Sequence, residues 1–342
     1  MDDQFIKILD NISIQLNRYL AIIIFIFGVV GNILNCFILS QRKLRLNPCA
    51  LLFLVSSFID LISILVGLTT RILAGWELDP TVKNTPICKF RAFIVFSTRT
   101  MAIWLITLAT IDRWFLSSMN IQRRQMSTLQ NAKKGIILTI IFSALGYIHM
   151  LYCYQSNLLD TPLKCYGKSS ECRIITDVTY ALITILIPSI LMISFGLMIV
   201  SNIHYLRMRT ETGTDISMMM PIRIRQIKLK KTDRQLLRMV LVQAILLIIF
   251  CIPQAIQKFY FTSNAFRMIS KREDAINDFL YNIEVLLAFV ANGMPFYLYT
   301  LTGGTVFRRA TMHFFRLVRR RFAYRRRSFN ESIIEFRRNW KS

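Results

Sequence analysis

Several ionisable side chains stand where charge is expensive. Arg113 follows Asp112 at the end of an apolar run that begins near Ala92, and Arg99 lies inside that run. Asp60 sits among Phe58, Ile59, Leu61 and Ile62, and Glu284 lies in another apolar stretch. Charges so placed need a partner, a watery cavity or a ligand, so the chemistry open to them is ion pairing and recognition. Covalent catalysis has no comparable support. His149, His204 and His313 are scattered, and no His-x-x-x-His or Ser-His-Asp set occurs. The sequence therefore suggests no enzyme, no metal site and no cofactor.

The elements that must hold these charges are long apolar blocks. Seven occur: Tyr19 to Leu39, Ala50 to Thr70, Ala92 to Ile111, Gly135 to Tyr154, Val178 to Ser201, Leu236 to Ile256, and Phe279 to Leu301. Each is long enough to cross a bilayer as a helix, because ~20 residues span its hydrocarbon core. Unpaired backbone amides in lipid are too costly for irregular structure, and the blocks are too long for barrel strands. The expected fold is an all-α membrane protein, a seven-helix bundle. The first block is no cleaved signal peptide, since acidic residues precede it and a short core with a small-residue cleavage site is missing.

The formal charge of +24 invites a nucleic-acid reading, but its distribution argues otherwise. Gln41 to Pro48, Arg113 to Lys134, Arg207 to Arg238 and Gly303 to Ser342 together carry 29 Lys and Arg against 5 acids. The four alternate segments carry 13 against 11. By the positive-inside rule the first set is cytoplasmic, which puts the amino terminus outside and the carboxyl terminus inside. The basic excess then faces anionic inner-leaflet lipid, and no nucleic-acid partner is needed.

In chain order, residues 1–18 form an extracellular segment with the glycosylation sequon Asn11-Ile12-Ser13. Residues 19–302 form the transmembrane domain. In helix 1, Gly31 permits close helix approach and Asn32 can bond across to a neighbour. Arg91 and Arg99 mark the outer half of helix 3. Arg99 is expected to face the bundle interior, paired with a carboxylate such as Glu284 or available to a ligand. Helix 4 ends in Tyr152-Cys153-Tyr154, and the loop after it holds Cys165 and Cys172. Pro188 lies in helix 5, and a basic inner loop carrying Met218-Met219-Met220 leads to helix 6 with Cys251 and Pro253. Pro253 should kink that helix. Residues 303–318, apolar on one side and basic on the other, predict a helix along the inner membrane surface. Residues 319–342 form a basic cytoplasmic tail.

This order of features resembles the rhodopsin-like G-protein-coupled receptors across nearly the whole chain. The resemblance rests on Gly31-Asn32, Asp60, Cys88, Asp112-Arg113-Trp114, Pro188, Pro253, and Pro295 with Tyr299. Within the family the chain looks most like divergent invertebrate FMRFamide-type peptide receptors, through Pro295-Phe296-Tyr297-Leu298-Tyr299 followed by Leu301-Thr302-Gly303. The resemblance implies a disulfide from Cys88 to the second outer loop, with Cys165 preferred and Cys172 as the alternative partner. It implies that Arg113 holds the inactive state through Asp112 and a residue at the base of helix 6, then contacts a heterotrimeric G protein when that helix swings out. Asp233, 20 residues before Pro253 and so about 30 Å lower, is the expected partner. If exposed, that pair is worth at most ~1 kcal/mol. Trp114 and Tyr299 would belong to the same switch, and Cys251, Pro253 and Pro295 to its hinges. Arrestin is a further cytoplasmic partner, and the plasma membrane the expected location.

The chain also departs from the family pattern. Cys251 stands where a tryptophan is usual, Trp114 replaces a tyrosine, and Pro295-Phe296 replaces Asn-Pro. Around Asp60, the positions expected to assist a sodium ion read Ala102 and Pro295, which leaves Asn292. Val95 stands where amine receptors carry an aspartate, and no lysine for retinal occurs between Asp278 and Tyr299. The remaining outer set, Arg91, Arg99, Gln254, Gln257, Lys258, Asp278 and Glu284, suits a peptide ligand. The rival readings are a seven-helix chemoreceptor for a small molecule, and a transporter, for which the expected internal repeat is not visible.

Overall fold

The computed structural model describes residues 2–158, 163–211, 231–263, 270–304 and 307–314, with Arg316 and Arg319. The Met218 to Met220 stretch and nearly all of the basic tail lie outside the described residues. Six helices are long and apolar enough to cross a membrane: α1 (Asp3–Leu39), α2 (Pro48–Gly75), α3 (Thr85–Ser117), α4 (Leu129–Cys153), α5 (Ser170–Tyr205) and α6 (Asp233–Ser263). A seventh crossing is made by α7 (Lys271–Gly293) and α8 (Pro295–Thr302), bent by 48° where Pro295 interrupts the backbone ladder. By contrast, α6 runs through Pro253 as one helix.

Helix starts follow the capping chemistry of the sequence. Asn47 caps α2 with Pro48 at its first turn, Asn84 caps α3, Thr128 caps α4, Ser169 caps α5 and Ser270 caps α7. The axis of the bundle is α3, whose apolar window is 72% buried against 28% for α4. The lipid face shows as exposed Ile137, Leu138, Ile141 and Leu145 on α4. Gly28 of α1 packs against Gly293 of α7 so closely that a Cβ on Gly293 would lie 3.1 Å from the Gly28 Cα. That approach lets Asn32 Nδ2 donate to the Asn292 carbonyl at 3.0 Å.

Two features go beyond the sequence reading. The polar amino-terminal segment is helical, because α1 begins at Asp3 and at about 1.5 Å per residue is some 55 Å long, well beyond a bilayer core. The Asn282 amide of α7 donates to the Ser13 carbonyl at 3.4 Å, docking this extension on the bundle. Asn11 is exposed on it. In α5, a π-helical stretch at Tyr180–Leu186 widens the turn. The Ile183 carbonyl there accepts from the Trp104 indole at 2.9 Å, and Tyr180 and Thr184 point inward.

After α8, Gly304 adopts a φ of +58°, where a side chain would be strained and would meet Gln235. The chain then re-enters helix at 307–314, here α9. Phe307 is buried against α8, Phe314 stacks on Phe37 of α1 at 5.5 Å, and Gln41 donates to the Ala310 carbonyl at 2.9 Å. One side of α9 therefore lies on the bundle while Arg308 and Arg309 face out. Between α4 and α5 a short antiparallel pair, β1 (Tyr154–Gln155) and β2 (Tyr166–Gly167), crosses one end of the bundle.

Candidate functional site

At the end of the bundle where α3 terminates, Arg113 is only 1% exposed and sits at the centre of a closed polar network. Its Nη2 meets Asp112 Oδ2 at 2.5 Å and its Nη1 meets Asp233 Oδ1 of α6 at 3.1 Å. Asn47 joins both helices to α2: its Oδ1 accepts from Arg113 at 3.4 Å and its Nδ2 donates to Asp233 at 3.2 Å. Ser127 donates to the other Asp112 oxygen at 2.6 Å. Because Arg113 is buried and Asp233 only partly exposed, the weak estimate for an exposed bridge does not apply; a guanidinium stripped of one acid here would be left largely uncompensated. Asn47 and Ser127 were not singled out from the sequence. Asn47 before Pro48 reads as a helix cap, and nothing local announces its second role.

The other expected switch residues lie around this network without joining its ions. Trp114 packs on Phe195 of α5, with Arg123 over its ring at 5.4 Å. Tyr299 of α8 is fully buried, donates its hydroxyl to Gln243 of α6 and lies 4.8 Å from the Phe53 ring. Midway along the bundle, Asp60 is 3% exposed and accepts from Ser56 at 3.4 Å. Its Oδ1, the Asn32 Oδ1 and the Asn292 Nδ2 are buried with no partner. Among the described residues no group of three metal-ligating side chains occurs.

The opposite end is held by sulfur. Cys88 of α3 is bonded to Cys165, with Cα atoms 5.7 Å apart. Cys172, the alternative partner, instead pairs with Cys153 at the end of α4. It lies in the first turn of α5, where it meets the end of α4. The second bond was not expected, although Cys153 and Cys172 are both visible in the sequence; pairing is a spatial property that spacing cannot supply.

Beneath these bonds Lys258 of α6, 1% exposed, meets Asp177 of α5 at 2.6 Å and the Tyr166 hydroxyl at 3.3 Å, and its ammonium faces the Tyr281 ring at 4.9 Å. Burial pushes the Tyr166 phenol well above its ordinary range, so the group stays protonated. The Tyr180 hydroxyl donates to Gln254 at 2.9 Å. Arg99 donates to that hydroxyl at 3.3 Å and to the Val285 carbonyl at 3.5 Å, over the Phe289 ring. Of the two alternatives left open for Arg99, pairing with Glu284 is not the one seen here: α7 offers Arg99 an aromatic face and a carbonyl, while the Glu284 Oε2 is buried with no partner. Gln257 donates to the Asn277 carbonyl at 3.0 Å, and Arg91 to Thr70 at 3.0 Å. Cys251 is buried on α6. Helix 6 is thus tied to α5 at one end and to α3 at the other.

A model of the 7 transmembrane receptor (rhodopsin family) matches residues 31–294. The chain belongs to this family. The receptor is 26% identical over 162 residues to a protein of Caenorhabditis elegans named neuromedin U receptor homolog nmur-2, covering 47% of this chain and 40% of that one. It is 24% identical over 113 residues to neuromedin-U receptor 1 of Homo sapiens, covering 33% and 26%. The receptor thus spans less than half the length of these relatives. It is a multi-pass membrane protein of a receptor family, not an enzyme family.

Proposed function

We propose that this receptor sits in the plasma membrane with its disulfide-bonded end outside, binds a peptide there, and activates a heterotrimeric G protein by outward movement of α6. The observation that carries the reading is the Arg113 network, in which one residue of α6, Asp233, is held to α3 and α2 by Arg113 and Asn47. Opening it would expose Arg113 to a partner, and Tyr299 and Trp114 line the path that α6 and α5 would take. The neuromedin names of the relatives support a peptide as the ligand class. The orientation rests on the basic excess of the segments at the Arg113 end. Residues 1–18 would then be extracellular with Asn11 open to glycosylation, residues 303–318 would lie along anionic inner-leaflet lipid, and the 319–342 tail would offer basic charge to that lipid and a docking segment to arrestin.

The test is guanine-nucleotide exchange in membranes from cells expressing the receptor, screened with a neuropeptide library. An active peptide whose effect disappears with Arg113→Ala, at unchanged surface expression, supports the reading. An agonist signal that survives Arg113→Ala contradicts it.

A further inference from the structure

Lys258 is not the only buried cation at the disulfide end, but it is the one whose charge is answered. Arg71 of α2 and Arg99 of α3 are 3% and 5% exposed, and neither has a carboxylate within ion-pair distance among the described residues. Arg71 donates to Asn282 Oδ1 at 3.1 Å and lies over the Tyr281 ring; Arg99 has the Tyr180 hydroxyl, the Val285 carbonyl and the Phe289 ring. All of these partners are neutral. In both residues Nε is buried with no partner at all. Arg91, half-buried nearer the rim, donates to Thr70. Both fully buried side chains reach the same helix, Arg71 at Tyr281 and Asn282 and Arg99 at Val285 and Phe289, on successive turns of α7. Burying like charges without an acid is unfavourable, and a guanidinium offers a planar fork of donors shaped for a carboxylate.

We propose that Arg99 and Arg71 form an anion subsite, where an acidic group of the ligand enters between α2, α3 and α7 and supplies the negative charge that the bundle itself omits. The inference rests on the peptide-receptor reading and narrows it: the bound peptide carries a carboxylate to this point. A free C-terminal carboxylate and an Asp or Glu side chain offer the same chemistry. The bidentate fork accounts for the idle Nε atoms, and the neutral contacts to Asn282 and Tyr180 hold the two guanidiniums in place until the anion arrives.

The experiment is thermal unfolding of the full-length receptor in lipid nanodiscs with three mixtures of random tetrapeptides. One mixture has free carboxyl termini and no acidic side chain, one has amidated termini and a single Glu, and one has amidated termini and no acid. At least one acid-bearing mixture should raise Tm by about 3 °C more than the acid-free one at roughly ten times its Kd. The mixture that does so identifies the source of the carboxylate. The excess should vanish in Arg99→Gln, and shrink in Arg71→Gln and in Arg99→Lys, which keeps the charge but loses the bidentate fork. Equal stabilisation by all three mixtures, or an excess that survives Arg99→Gln, overturns the subsite while leaving a peptide receptor standing. No stabilisation by any mixture overturns both.

Discussion

The two ends of this receptor treat buried charge in opposite ways. At the Arg113 end, Arg113, Asp112, Asp233, Asn47 and Ser127 satisfy one another, and none carries a buried polar atom without a partner. At the disulfide end, Arg71, Arg99, Gln257, Asn277, Thr176 and Glu284 each leave one such atom idle. A region whose polar groups are complete has little to gain from a ligand and something to lose when it opens. A region with idle donors and acceptors has the reverse balance. On the function proposed above, binding belongs to one end and a closed latch to the other, with α6 tied into both through Lys258 and Asp233.

Substitutions can break this comparison. The largest effect is expected at the complete pair of the disulfide end: Asp177→Asn strands Lys258 and should cost about 3–5 kcal/mol, whereas Lys258→Met with Asp177→Leu should be nearly neutral. Thermal unfolding of the two variants measures the gap, and equal losses would mean that packing, not charge, holds α5 to α6. Cys88→Ala should cost about 2–5 kcal/mol and lower the amount of receptor at the cell surface. Antibody staining of intact cells reads that loss, and unchanged staining would remove the disulfide from the account. Asn47→Ala removes both a helix cap and a contact to Arg113, for about 1–2 kcal/mol, and should raise basal nucleotide exchange. A stability loss without added basal activity would reduce Asn47 to a cap. Tyr299→Phe, which loses only the hydroxyl bond to Gln243, should cost about 1 kcal/mol and leave the Arg113 end closed.

Much of the bundle could be read from the chain because lipid imposes a simple rule on it. Apolar runs of membrane length must be helices, and their basic flanks separate the two ends. Asp233 was reachable for a similar reason, since helical rise fixes its depth relative to Pro253. The partners of Arg99 were not. An intramembrane arginine announces a need without saying how it is met, and a tyrosine, a carbonyl and a ring give no more sequence signal than any core residue. Arg71 was overlooked because it follows the apolar block Ala50 to Thr70 and so looks like a rim residue, while α2 continues to Gly75 and keeps it inside. The bond between Cys153 and Cys172 depends on where α4 ends and α5 begins, and block boundaries are too coarse to place that.

The claim on which the account turns is that Asp233 holds α6 closed against α3. Spin labels on Gln122→Cys and Arg234→Cys, both at exposed positions, report the separation of α6 from the segment following α3 without any ligand. In Asp233→Asn the labels should move apart and populate a second, longer distance that is rare in the parent receptor. An unchanged distance distribution in Asp233→Asn would contradict the latch, whatever ligand the opposite end proves to bind.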